Sequence, residues 1–228
     1  MDKMSLFTIL AVSLPEAVLN IYIGLLLTGH RSKLYLDDKI NIVRLIITAP
    51  LMVSVTFFSR YILTELLLVV LFNVLLYTLI LLLVYKIKWH EAVLAVLIFY
   101  GLLITIEIAY MPQFFVLFEI SMEEYFASDL TRFFTSIPQR LIQLGIVVSL
   151  WNWDIVYLKL QYHKKLKYYV LAFTFLLFIA EVSFCTLFLY SLNMLTHNFR
   201  IYFSILSIVF VAVNITYSKM LLTFLKQL

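Results

Sequence analysis

Apolar residues in this chain neither alternate with polar ones nor keep to one helical stripe. They gather into long runs parted by short polar stretches. At a rise of about 1.5 Å per residue, about twenty such residues in a helix cross a hydrocarbon core of about 30 Å. The pattern predicts seven membrane helices. They run from about Ser5 to Thr28, Ile42 to Ser59, Tyr61 to Tyr85, Ala92 to Tyr110, Ile137 through RLIQLGIVVSLWNWDIVYL, Tyr168 to Tyr190, and Ile201 to Leu225. The longest connection, 111–136, is acidic and rich in phenylalanine; it is expected to be an extracellular loop or to rest in the interface, aromatic side down.

Breaks within the runs carry information. Pro15, Glu16 and Asn20 interrupt the first, and Gly24 leaves room there for a close neighbour. Pro50 in the second span leaves a carbonyl without its usual donor and is expected to kink the helix. Pro138 opens the fifth span at a favourable first-turn position, and Trp151 and Trp153 near its end read as an interfacial anchor. Asn20, Asn73 and Asn214 are candidates for hydrogen bonds between helices.

Composition agrees with the pattern. Of 228 residues, 64% are hydrophobic and 13% charged, and mean hydropathy is +1.03. Soluble domains are about 45–50% apolar and about a quarter charged. The expected architecture is all-α, a polytopic membrane protein forming a single domain over 1–228, with no cleavable signal peptide. A lone cysteine, Cys185, rules out an intrachain disulfide framework or a four-cysteine metal site. No metal ligand set and no cofactor are expected. The net charge of +4 does not point to nucleic acid, because the basic residues fall in loops, where they set orientation.

The stretch LKLQYHKKLK, from Leu158 to Lys167, fixes that orientation, since short Lys/Arg-rich loops stay cytoplasmic. With it inside, HRSKLYLDDK and IKWH also fall inside, while Lys3, Arg60, Arg132, Arg200 and the acidic segment fall outside. The N-terminus is then outside and the C-terminus cytoplasmic. Merging the second and third spans would turn a basic loop outward.

Ionisable residues in hydrocarbon cost about 2.5–3.5 kcal/mol each on insertion scales and tend to face the bundle interior or a partner. Five such residues are candidate ligand or intramembrane polar sites: Glu16, Glu65, Glu107, Arg140 and Glu181. Glu65, Glu107 and Arg140 lie in the outer third of their spans, so Arg140 against Glu107 or Glu65 could line an outward-facing pocket; packing or assembly is the competing reading. Glu181 sits near the midplane, beyond reach of the headgroups. No catalytic residue is assigned. HExxH, G-x-S-x-G and P-loop motifs are absent, His197 lies twelve residues beyond Cys185, and no arginine or intramembrane histidine completes Glu123-Glu124 as a glutamate protease pair.

The opening LAVSLPEAVLNIYIGLLLTGHRSKL, the acidic connection and SIPQRLIQLGIV together resemble the membrane sensor region of Firmicute histidine kinases of the accessory-gene-regulator type. The resemblance rests on Ser13, Leu14, Pro15, Glu16 and Gly24, and on Pro138, Arg140, Leu141 and Gln143. It implies a bacterial, multi-pass cell-membrane protein of two-component signalling that detects an extracellular signal, often a peptide. It also implies a cytoplasmic coil with a phosphorylated histidine after the seventh helix. No match to that coil is found up to Leu228, so no phosphoacceptor or ATP site is carried over and kinase activity is not expected. The expected function is a membrane sensor or accessory protein that binds an extracellular signal, a membrane histidine kinase or itself, among membrane lipids. The alternative is a small-solute or ion transporter subunit with its glutamates along a path; a lipid-directed enzyme ranks last.

Overall fold

In a computed structural model, the described residues are 5–63, 65–120, 122–153 and 164–194, with 205, 206, 208, 209 and 212. Helices account for the secondary structure throughout, with no strand among these residues: α1 (Leu6–Thr8), a π-helical turn (Ile9–Ser13), α2 (Leu14–Leu27), α3 (Lys39–Ile62), α4 (Leu66–Tyr85), α5 (Trp89–Leu117), α6 (Met122–Ala127), α7 (Asp129–Trp153) and α8 (Lys164–Met194). Five stretches are long and apolar enough to cross a membrane: Leu6–Leu27, Lys39–Ile62, Leu67–Tyr85, Trp89–Phe115 and Asp129–Asn152. The chain thus has the helices of a membrane protein.

Local chemistry sets the boundaries. Pro15 has no N–H to donate back along the helix. The turn before it is π-helical, and the Leu14 N–H reaches Ile9 O instead. Gly29, at φ 81°, ends α2: its N–H bonds Leu26 O at 3.1 Å and the next N–H, of His30, bonds Leu25 O at 2.8 Å. This is the left-handed stop that glycine makes without strain. Asp38 caps α3 by accepting from the Ile40 N–H at 2.9 Å. α3 runs through Pro50, where Ser54 Oγ donates to the Pro50 carbonyl at 2.8 Å. Leu63 and Glu65, both extended, separate α3 from α4, so the second and third spans are distinct helices.

The acidic connection differs in form from the expected loop. α5 continues into it as far as Leu117, the chain turns at Glu119 with φ 53°, α6 follows, and α7 begins at Asp129. Apolar residues supply the reason: Phe115 is buried, and the Phe114 and Phe118 rings pack at 4.4 Å, so this end of α5 has an interior to face. The lysine-rich stretch lies outside the described residues apart from 164–167, which open α8. Most of the expected seventh span also lies outside them.

α2 and α5 form the centre of the bundle. α2 packs on α3, α5 and α7, while α5 packs also on α4 and α8. Gly24 permits the closest approach, since a Cβ there would stand 3.1 Å from Ala95 O and 3.1 Å from a Phe99 ring carbon. Ile21, Ile23, Leu25, Met52 and Leu81 are fully buried around this seam. At one end of the bundle, Lys33 Nζ donates to the carbonyl of Tyr85, His30 Nε2 meets Glu91 Oε2 at 3.1 Å, and Arg31 lies 4.7 Å over the Trp151 ring. Trp151 therefore packs inward, on Tyr22 and Tyr35 as well. Burial lowers the His30 pKa, with Glu91 pulling the other way, and burial also lowers that of Lys33.

Candidate functional site

At the opposite end of the bundle, α2, α3, α4, α5 and α7 surround a cavity of about 210 Å³. Its lining includes Thr8, Arg60, Tyr125 and Arg132, all close to helix ends, and Asn20, Tyr77 and Tyr100, nearer the middles of their helices. Helical periodicity builds its polar wall. Glu16 and Asn20 are four apart on α2, and Gln139, Arg140 and Gln143 fall within one turn of α7, so two polar faces meet where these helices pack.

The contacts form two sets. Arg140 Nη2 pairs with Glu16 Oε2, Arg140 Nη1 donates to Gln143 Oε1 at 2.7 Å, and Gln143 Nε2 donates to Asn20 Oδ1 at 2.9 Å. Beside this chain, Gln139 Nε2 donates to Glu107 Oε1 at 3.1 Å. Arg140 therefore meets neither Glu107 nor Glu65 as its ion-pair partner, which corrects that expectation. α7 lies directly against α2, so Glu16 is the carboxylate in reach, and the neutral Gln139 faces Glu107 instead.

Glu65 belongs to the turn that precedes α4, is exposed, makes no capping bond and is not part of the cavity wall. Glu181, on α8, is 3% exposed and accepts from Thr105 Oγ1 at 3.1 Å. Its carboxylate fills the notch left by Gly101, where a Cβ would come within 2.9 Å of Oε2. The adjacent Val182 lines the cavity, so Glu181 lies just behind the wall. The cavity thus brings together Glu16, Glu107 and Arg140 of the five candidates.

Several wall residues were not singled out by sequence. Gln139 was one; its proximity to Arg140 and Gln143 after a proline was the available signal. Tyr77, Tyr100 and Tyr110 were others, hidden because tyrosine in an apolar run reads as interface or core. Here Tyr77 Oη donates to Met52 O at 2.9 Å and also meets Thr56 Oγ1, and Tyr110 Oη donates to Thr135 O at 2.9 Å. The rings of Tyr77 and Tyr100 stack at 5.6 Å. Burial pushes the Tyr125 phenol up to about 12, so it faces the cavity as a neutral hydroxyl. Thr8 Oγ1 donates to Asp129 Oδ1 at 2.7 Å and ties the start of the first helix to that of α7.

Among the described residues no group of three His, Cys, Asp or Glu side chains could hold a metal ion. No family model, no curated protein and no solved structure matches the chain. The arrangement brings carboxylates, guanidinium groups, amides and phenols to one space, groups suited to hydrogen-bonding and charge recognition of a polar ligand.

Proposed function

We propose that this chain is a ligand-binding membrane sensor or accessory protein of a bacterial cell membrane, with seven spans, the N-terminus outside and the C-terminus cytoplasmic. The observation that carries the reading is the polar cavity at one end of an otherwise apolar bundle, walled by the Glu16–Arg140 pair and Glu107. The basic segments around Lys33 and Lys88 gather at the other end, where Lys33 reaches the carbonyls of Tyr85 and Lys86. By the preference of basic loops for the cytoplasm, that end faces in and the cavity faces out. A ligand arriving from outside would then bias the packing of α2 against α7, the seam that the ion pair spans, and a membrane histidine kinase would read the change.

The test is photo-crosslinking in native membranes, from probes in the expected seventh span and in the Leu158 to Lys167 stretch, read by mass spectrometry. Recovery of a histidine kinase supports the sensor reading. Recovery of only the chain itself or of an ATPase turns the weight to transport. That second reading is favoured by one observation: Glu181 is a buried carboxyl directly behind the cavity wall, where a coupling proton could reside. It predicts flux that is lost in Glu181→Gln, and normal flux in that variant would sink it.

A further inference from the structure

The cavity wall is not closed on itself, and what it leaves unmet describes a ligand. Glu107 accepts one hydrogen bond, from Gln139, and has no lysine, arginine or histidine within ion-pair distance among the described residues, whereas Glu16 is matched by Arg140. Asn73 is 3% exposed and lines the same space, yet its Oδ1 has no donor. A buried acceptor without a donor is costly, and in a wall it marks where a donor from a bound molecule would sit. Tyr77, Tyr100 and Tyr110 line the same space, so the surroundings of these two acceptors are aromatic as well as polar.

The same cavity also holds the opposite demand. Arg140 Nε is buried without an acceptor, although the other two guanidinium nitrogens are engaged. Arg60, close to the end of α3, is exposed and has no carboxylate within ion-pair distance among the described residues. A simple cation would leave Arg60 and the Arg140 Nε–H unmet. A simple anion would meet Glu107 unpaired.

We propose that the cavity binds a small zwitterion, its ammonium group seated against Glu107 and Asn73 among the tyrosines and its anionic group turned towards Arg60 and Arg140. The space of about 210 Å³ holds the equivalent of about seven waters at their liquid volume, which suits a compact amino-acid-like solute. This rests on reading the cavity as a ligand site and adds the class of ligand.

The test uses the full chain purified in detergent micelles, with binding read by calorimetry and thermal shift. The probes are L-alanine and 4-aminobutyrate, which carry both charges, and pentylamine and pentanoate, which carry one each. At least one zwitterion is expected to bind about tenfold or more tightly than either singly charged probe, the step that one good charged contact makes. Glu107→Gln should remove the advantage over pentanoate, and Arg60→Gln the advantage over pentylamine. Asn73→Leu, which keeps the helix apolar, should weaken the ammonium-bearing probes alone and serves if Glu107→Gln does not fold. Equal binding of pentylamine or pentanoate, or no binding by any probe, overturns the proposal. Zwitterion binding without capture of a kinase would refute the signalling partner and leave this ligand class standing; capture of a kinase with no probe bound would do the reverse.

Discussion

Arg140→Leu puts the α2–α7 seam to the test. The substitution removes the cation facing Glu16 and the donor to Gln143 Oε1, while leaving the apolar packing of α7 in place. Breaking a buried pair by deleting one partner costs about 3–5 kcal/mol, because the remaining charge is stranded. Here the side chains are 14% and 28% exposed, and Glu16 borders a cavity that water can enter, so about 2–3 kcal/mol is the expected loss. At about 2–4 °C per kcal/mol for a chain of this size, melting in micelles should fall by about 4–12 °C. Adding Glu16→Gln should recover about 1–2 kcal/mol, since the stranded charge is gone and coupled neighbours are not additive. Glu65→Gln, at an exposed turn outside the cavity, should stay within about 0.5 kcal/mol of the parent. If Arg140→Leu melts like the parent, or the double variant shows the plain sum of two losses, the pair does not hold the seam.

Gly101→Ala should cost up to about 1 kcal/mol: its Cβ would press within 2.9 Å of the Glu181 carboxylate, the flexible end of a side chain that can shift aside at the expense of its hydrogen bond from Thr105. Gly145→Ala, with nothing within 4 Å, should be neutral or gain up to about 1 kcal/mol, and equal effects at the two glycines would contradict the α5–α8 packing. Acidification should destabilise the protein through His30: its folded pKa lies below the ordinary value of 6.5, so as pH falls the unfolded chain takes the proton first and stability is lost. His30→Gln should flatten that part of a melting profile taken from about pH 8 to about pH 5, and a parent that gains stability on acidification would mean that Glu91 outweighs burial. In a variant freed of Cys185, a cysteine at Ser128 should be labelled from outside and one at Gln161 only after permeabilisation; the reverse pattern would invert the orientation.

Apolar run length was enough to place α2, α3, α4 and α5, because in hydrocarbon a backbone has few alternatives to a helix that satisfies itself. It found the body of α7 but not its start, which lies at Asp129 rather than Ile137 and leaves Pro138 inside the helix instead of in its first turn. Helix ends were legible where chemistry marks them, as at Gly29 and Asp38. They were not legible at Leu117, where α5 runs on past the expected end because Phe115 finds an interior to bury in. The intramembrane charges were legible as a set, since each is conspicuous against its surroundings. Their pairing was not: depth along a helix orders residues in one direction only, and which carboxylate faces Arg140 depends on which helix lies beside α7. Gln139 and the tyrosines stayed hidden for a related reason, as their role comes from sharing a wall that only the packing creates.

The polar network is hard to account for as a device of folding. The Gly24–Ala95 seam and the surrounding buried aliphatic residues hold the bundle without any charge, and α4 has Asn73 as its one amide in an almost unbroken aliphatic run. Ion pairs in such an interior add little net stability and are often matched by apolar residues of similar size. A network kept for structure would also be expected to close on itself. This one closes only at Glu16, Arg140, Gln143 and Asn20, and leaves Glu107 with one neutral donor and Asn73 Oδ1 and Arg140 Nε with none, all around the same space. Such open valences cost free energy in the empty protein. Their grouping in one cavity, rather than their number, is what supports a polar ligand that offsets the cost when it binds.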